Sequence, residues 1–138
     1  MAERTLTIVK PDAVSTGKSG PILAHLEKEG FRIAGLKKLR LSAEQAKAFY
    51  AVHKERPFYQ GLVAFMTEGP VVVAALERSD AVSHLRRVMG ATDSKKAEAG
   101  TIRNLYGTDI ERNAVHGSDS PENAAKEISF FFSEGELI

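Results

Sequence analysis

Of the four histidines in the sequence, His116 has the setting that chemistry requires. It stands in "NAVHGSDSPENAAKE", after an apolar pair that reads as a short strand and before Gly117, which permits close approach of a ligand or another backbone. Ser118, Asp119 and Ser120 then lead into a helix start, where unpaired N–H groups and a partial positive charge favour anions. A neutral imidazole is a good nucleophile near pH 7 when a neighbour fixes its tautomer. The alternative is a hydrogen-bonded structural histidine at a strand end. His25 and His84 fall inside amphipathic helices and His53 near a helix C-terminus, so all three read as surface or boundary residues.

Other side chains give His116 suitable company. Lys10 ends the first strand, Arg86 and Arg87 end a helix, Thr92 follows, and Arg103 and Asn113 lie in a long loop. Fixed charge, forked donors and neutral donor–acceptors are what phosphate oxygens and ribose hydroxyls need. Singly, each is an ordinary surface residue; brought together, they would hold a polyphosphate. A second phosphate signal, "GKS" at Gly17 to Ser19, does not survive inspection. A phosphate-cradling loop needs glycine five residues before Gly17, and that position is Asp12, a carboxylate.

The whole chain narrows the field. With 138 residues, 43% hydrophobic and 27% charged, it reads as one soluble domain spanning 1–138. A net charge of +1 offers no broad field for nucleic acid or a membrane, so an anion site must be built locally. Without cysteine there are no disulfides or thiolate nucleophiles. "MAERTLTIVKPDAV" is not a secretory signal, and the longest apolar run, "PVVVAAL", is too short to span a bilayer. The expected location is the cytoplasm.

The elements that would position these groups can be read in order. "RTLTIVK" alternates as a strand closed by Pro11, and "GPILAHLEKEG" has Ile22, Leu23 and Leu26 on one helical face and a C-cap at Gly30. "FRIAGLKKLRL" alternates as an edge strand. Ser42 with Gln45 forms a capping box before a second helix, and a third starts after Pro57 and stops at Gly69. "PVVVAALE" is a buried strand, and Ser79 is the expected cap of the helix after it. Ala91 to Asn113 reads as one long structured loop, "AVHG" as a short strand, and Ser120-Pro121 as the start of the last helix. The order β-α-β-(αα)-β-α-loop-β-α predicts a ferredoxin-like, split-βαβ sandwich: a four-stranded antiparallel sheet with extra helices and one long loop.

"ERTLTIVKPDAV", "GFRIAGLKKLRLS", "RPFYQGLVAFMTEGPVVVAALE", "RRVMGAT", "GTIR" and "NAVHGSDSPENAAKEISFFF" together resemble the nucleoside diphosphate kinases, in register from about Glu3 to the end. The resemblance implies that fold and a ping-pong exchange of γ-phosphate between nucleotides. By position it implies His116 as the phosphorylated nucleophile, attacking through Nδ1, with Ser118 and Glu127 orienting the ring. It implies Lys10, Tyr50, Arg86, Thr92, Arg103 and Asn113 as phosphate, ribose and active-site contacts. Phe58 and Ile110, with Leu62 beside them, would form the slot for the base, gripping it by its face and so tolerating many bases. Mg²⁺ is implied as the cofactor, held mainly by substrate phosphates, since no carboxylate cluster for a protein cage is evident. Nucleoside di- and triphosphates are the implied partners, in a homo-oligomer (tetramer or hexamer). The segment after Thr92 reads "DSKKAEAG" where the family commonly has Asn-Pro, which removes a constraint from the loop entrance.

The rival reading is a non-catalytic nucleotide- or nucleic-acid-binding module on the same sandwich. It would need the base slot and the cations but no histidine. Near-neutral charge and the absence of an aromatic RNA-binding signature speak against it.

Overall fold

Alternating side chains on the inner strands set the architecture, as the computed structural model of residues 2–138 describes it. In β1 (Glu3–Val9), Leu6 and Ile8 join one apolar cluster while Val9 joins another on the opposite face, and all are fully buried. The chain continues through α1 (Pro11–Ser15), α2 (Ser19–Lys28), β2 (Arg32–Leu39), α3 (Ala43–Phe49), a 3₁₀ turn (Ala51–His53), α4 (Tyr59–Met66) and β3 (Val71–Arg78). It ends with α5 (Ala81–Met89), a 3₁₀ turn (Ser94–Lys96), α6 (Ile102–Tyr106), β4 (Val115–Gly117), α7 (Pro121–Phe131) and a last 3₁₀ turn (Glu134–Glu136).

The four strands lie in the order β2-β3-β1-β4, and every pairing is antiparallel. β1 and β2 are therefore split by β3, with α2 and α5 as the crossovers of the two βαβ halves. This is the ferredoxin-like sandwich expected. β3 is buried on both faces: Val71, Val73 and Ala75 face α3, α4 and α7, while Val72, Ala74 and Leu76 face α2 and α5. At about 25 cal/mol per Å² of apolar surface, burial on both faces makes this strand pair the anchor for everything mounted on it.

Local chemistry explains several element boundaries. Ser42 and Gln45 form the reciprocal capping box at α3, and Ser120 accepts from Asn123 N, with Pro121 opening α7. Gly30 follows α2 with φ +90°, the left-handed conformation expected of a residue closing a helix.

Three expectations need correction. Ser79 does not cap α5. The cap position is Asp80, at φ 53°, and the Val82 N–H instead donates to Glu3 Oε1 at 2.8 Å. The long loop is structured as expected, with Asp93 capping the 3₁₀ turn through Lys95 N and Thr101 capping α6 through Asn104 N. Asp93 thus supplies a local constraint where the proline is missing. Pro11 does more than close β1, since it opens α1. The even alternation of β2 breaks at a bulge between Ile33 and Gly35, which leaves Ala34 and Gly35 both buried. A Cβ on Gly35 would come within 3.0 Å of Phe132 and Leu137, so the bulge makes room for the C-terminal segment, whose Ile138 N–H donates to Ala34 O.

Candidate active site

The catalytic candidates meet where β4 pairs with β1. β4 has only three residues, and its register sets His116 beside Ile8 in the sheet. Gly117 is required here by packing. A Cβ at this position would approach Met89 at 2.8 Å and Leu85 at 3.0 Å, so the close approach foreseen at this glycine is made by α5.

A hydrogen-bond chain fixes the imidazole. The Leu6 N–H donates to Ser118 Oγ (3.3 Å), whose hydroxyl donates to Glu127 Oε1 (2.8 Å). Glu127 Oε1 is also 2.8 Å from His116 Nε2. An ionised carboxylate only accepts, so Nε2 carries the proton and Nδ1 keeps the lone pair. Phe49 packs edge-on against the imidazole with ring centroids 5.5 Å apart, and Tyr50 lies beside it at 6.3 Å. Phe49 is a site residue that sequence reasoning missed. An apolar side chain on a helix carries no chemical signal, and only tertiary packing brings it to the histidine.

His116 opens into a cleft of about 890 Å³, within the range of small-molecule sites. Lys10, Tyr50, Phe58, Leu62, Arg86, Thr92, Arg103, Ile110, Asn113, His116 and Glu127 all line it; of the twelve residues singled out from sequence, only Ser118 stands behind the wall. Lys18 of the "GKS" stretch is not in the lining.

Four cations, Lys10, Arg86, Arg103 and Lys126, line the cleft, and two of them are not surface residues at all. Lys10 is 8% and Arg103 7% exposed. Burial, with the Arg103 charge second, lowers the Lys10 ammonium to about 8, and Lys10 Nζ donates to Asn113 Oδ1 at 2.8 Å. Burial, then the charge of Arg86, lowers Arg103 to about 10. The Arg103 guanidinium is held by two carbonyls, Gly90 O (3.1 Å) and Val115 O (2.9 Å), while its buried Nε has no partner. The Asn113 amide donates to Thr92 O and Ile110 O, tying three lining segments together. The Tyr50 hydroxyl, fully enclosed and without a partner, is pushed up first by burial and then by the Glu127 charge, so it remains a neutral donor. Ammonium and guanidinium groups around a cleft are the complement of an anion rich in oxygen.

At the cleft mouth Phe58 is 50% and Ile110 64% exposed, with the Phe58 ring 5.4 Å from that of His53. His53 thus belongs to the cleft wall, beyond the surface role read for it. Phe58, read without family knowledge, would be a core residue; it is instead an exposed aromatic facing a cleft, a platform on which a flat ring can stack.

A match to the family model described as nucleoside diphosphate kinase spans residues 3–137. The chain belongs to the nucleoside diphosphate kinase family. It is 57% identical over 136 residues to the nucleoside diphosphate kinase of Acidiphilium cryptum, covering 99% of this chain and 97% of that one. Among solved structures, the Aquifex aeolicus nucleoside diphosphate kinase in an orthorhombic crystal form superposes with a TM-score of 0.98 at 50% identity, each chain covered in full. The halophilic nucleoside diphosphate kinase of Halobacterium salinarum, solved in complex with CDP, superposes at 0.95 and 43% identity, covering 100% of this chain and 92% of that one.

The resemblance implies Mg²⁺ beside the phosphates. Among the described residues no three His, Asp or Glu side chains gather as a metal cage. The lining offers cations, Thr92 and Asn113, with carboxylates only at Glu111, Asp119 and Glu127. Such donors fit a metal that arrives on the nucleotide's phosphates and keeps its waters.

Proposed function

We propose that this chain transfers the terminal phosphate of a nucleoside triphosphate to a nucleoside diphosphate through a phosphorylated His116. In the first half-reaction Nδ1 forms a bond to the γ-phosphorus as the bond to the bridging oxygen breaks, and the nucleoside diphosphate leaves with that oxygen. In the second, the terminal phosphate oxygen of another diphosphate attacks the same phosphorus, the N–P bond breaks, and Nδ1 regains its lone pair. The observation that carries this reading is the chain from Ser118 through Glu127 to His116 Nε2, which leaves Nδ1 as the free base beside a cationic cleft. Nε2–H stays hydrogen-bonded to a carboxylate as positive charge builds on the ring, so the ring needs no external base.

The transferring group is anionic and loosely bonded at the transition state, so catalysis rests on positioning and charge. Lys10, Arg86 and Arg103 supply the charge, and Tyr50 and Thr92 neutral donors. Asn113 and Lys10 hold the ribose–phosphate end, while Phe58, Leu62 and Ile110 take the base by its face. A face-on grip reads no base edge and so accepts purines and pyrimidines alike. Mg²⁺ accompanies the nucleotide and neutralises phosphate charge when bound.

The same reading takes residues 1–138 as one domain, active in the cytoplasm as a homo-oligomer, tetramer or hexamer. Half-exposed Leu36 on the edge strand and exposed Ile138 are apolar surface that subunit contacts would cover; sedimentation of the purified protein tests this. No helix among the described residues is long and apolar enough to cross a membrane.

The decisive experiment is incubation with γ-labelled triphosphate and Mg²⁺. Acid-labile, base-stable label on the chain is expected, discharged by added diphosphate and absent in His116→Ala. Label that persists in His116→Ala would overturn the mechanism, and nucleotide binding without any label would favour the non-catalytic module.

A further inference from the structure

Asp12 is the residue whose carboxylate spoils the "GKS" phosphate signal, and the proposed transfer chemistry leaves it without a role. Its side chain is nevertheless engaged two residues from the nucleophile. Ala114 adopts φ +73°, a left-handed conformation that a residue with a Cβ rarely takes, and it is fully buried. The Val115 N–H donates to Asn113 O at 2.9 Å, closing a γ-turn with Ala114 at its centre, the rare and strained form of that turn. Asn113 and His116, two groups assigned to the nucleotide, flank this turn on either side.

A strained turn persists only where its surroundings hold it. Here the β1–α1 junction does so at three points. The Lys10 N–H donates to Ala114 O (2.8 Å), Lys10 Nζ donates to Asn113 Oδ1 (2.8 Å), and Asp12 Oδ2 accepts from the Ala114 N–H (3.1 Å). The second carboxylate oxygen, Oδ1, is buried without a partner, so the group is partly desolvated to make a single backbone bond. Pro11 opens α1 between the two clamping residues and fixes the backbone from which both reach.

We propose that Asp12 is a positioning residue for the transfer reaction: by accepting from the Ala114 N–H it holds the γ-turn that sets Asn113 and His116 in their working relation. The proposal rests on the phosphohistidine reading above. Asp12 touches no reacting atom in it; it acts through the backbone of residues 113–116. Losing the carboxylate orphans the Ala114 N–H and lets the turn relax to negative φ. Glycine at 114 removes the steric objection to φ +73°, and so removes most of the need for the clamp.

The test is single-turnover labelling by γ-labelled triphosphate at saturating nucleotide, on full-length wild type, Asp12→Ala, Ala114→Gly and the double variant. Asp12→Ala should label to the same final stoichiometry with a rate constant lower by about tenfold or more, a loss typical of a misplaced reacting group. Ala114→Gly should label within about threefold of wild type, and adding it to Asp12→Ala should bring the rate back to within about threefold, since it restores access to the turn. An unchanged rate in Asp12→Ala, or a loss that glycine does not reverse, overturns the proposal; a fall in melting temperature alone also overturns it. If Asp12→Ala does not fold, Asp12→Leu takes its place. It fills similar space without an acceptor for the Ala114 N–H, so a loss of about tenfold or more reversed by glycine is expected, and no loss overturns the proposal. Wild type that never labels would instead refute the phosphohistidine reading itself, a failure visible before any Asp12 variant is compared.

Discussion

At the residue scale, Lys10 shows how burial turns an ordinary cation into a pH-sensitive one. Its ammonium is lowered from 10.5 to about 8, first by burial and then by Arg103. Two consequences of opposite sign follow. Between those values the unfolded chain binds a proton that the folded chain does not, so this group makes folding more favourable as pH rises through the window, by up to about 1.4 kcal/mol per pH unit. Activity should move the other way, because the proton lost is the charge that meets phosphate. Denaturation of wild type and Lys10→Met between pH 7 and 10 should show wild type gaining stability relative to the variant above about pH 8, while wild-type kcat/KM for a triphosphate declines over the same range. Parallel stability curves would place the Lys10 titration elsewhere. The sequence shows Lys10 only as a cation at a strand end. Its burial depends on β4, more than a hundred positions away, closing over that end of β1 through the Ala114 backbone.

At the element scale, what can be read from sequence follows the reach of the interactions that fix each boundary. The caps of α3 and α7 are legible because their donors and acceptors lie three residues apart. The cap of α5 is not, since Glu3 is 79 positions from Val82 and nothing local to Ser79 or Asp80 announces it. The short turns inside the long loop are hidden for a similar reason. α6 has five residues, too few for apolar periodicity, and its start depends on one threonine cap. The far end of α5 shows what this costs the site. Gly90 sits at φ +88° with an added Cβ facing Thr101 Oγ1 at 2.5 Å, and its carbonyl accepts from Arg103 Nη1. Gly90→Ala should destabilise the fold by about 1–3 kcal/mol, through left-handed strain and the clash with α6. Because the same carbonyl orients Arg103, kcat/KM should fall too. Thermal melting with steady-state kinetics checks both, and a stability loss with unchanged kinetics would show that Val115 O alone holds the guanidinium.

At the scale of the whole molecule, the net charge of +1 hides a local gathering of cations. Lys10, Arg86, Arg103 and Lys126 all line one cleft, against the carboxylates of Glu111, Asp119 and Glu127. A sequence total cannot show this, because only the fold brings cations from the β1–α1 junction, α5, α6 and α7 to a common wall. Two of the four, Lys10 and Arg103, are also buried, where mobile ions screen poorly. Attraction for a polyphosphate should therefore be short in range and built into the cleft. Raising salt from about 0.05 to about 0.5 M shortens the screening length several-fold, yet kcat/KM for a nucleoside triphosphate should fall by less than about tenfold, with kcat almost unchanged. A protein that gathered its substrate with exposed lysines would lose far more over that range. A steep loss, carried mainly by KM, would mean that surface charges do the gathering, and that the low exposure of Lys10 and Arg103 is not what makes the cleft selective for phosphate.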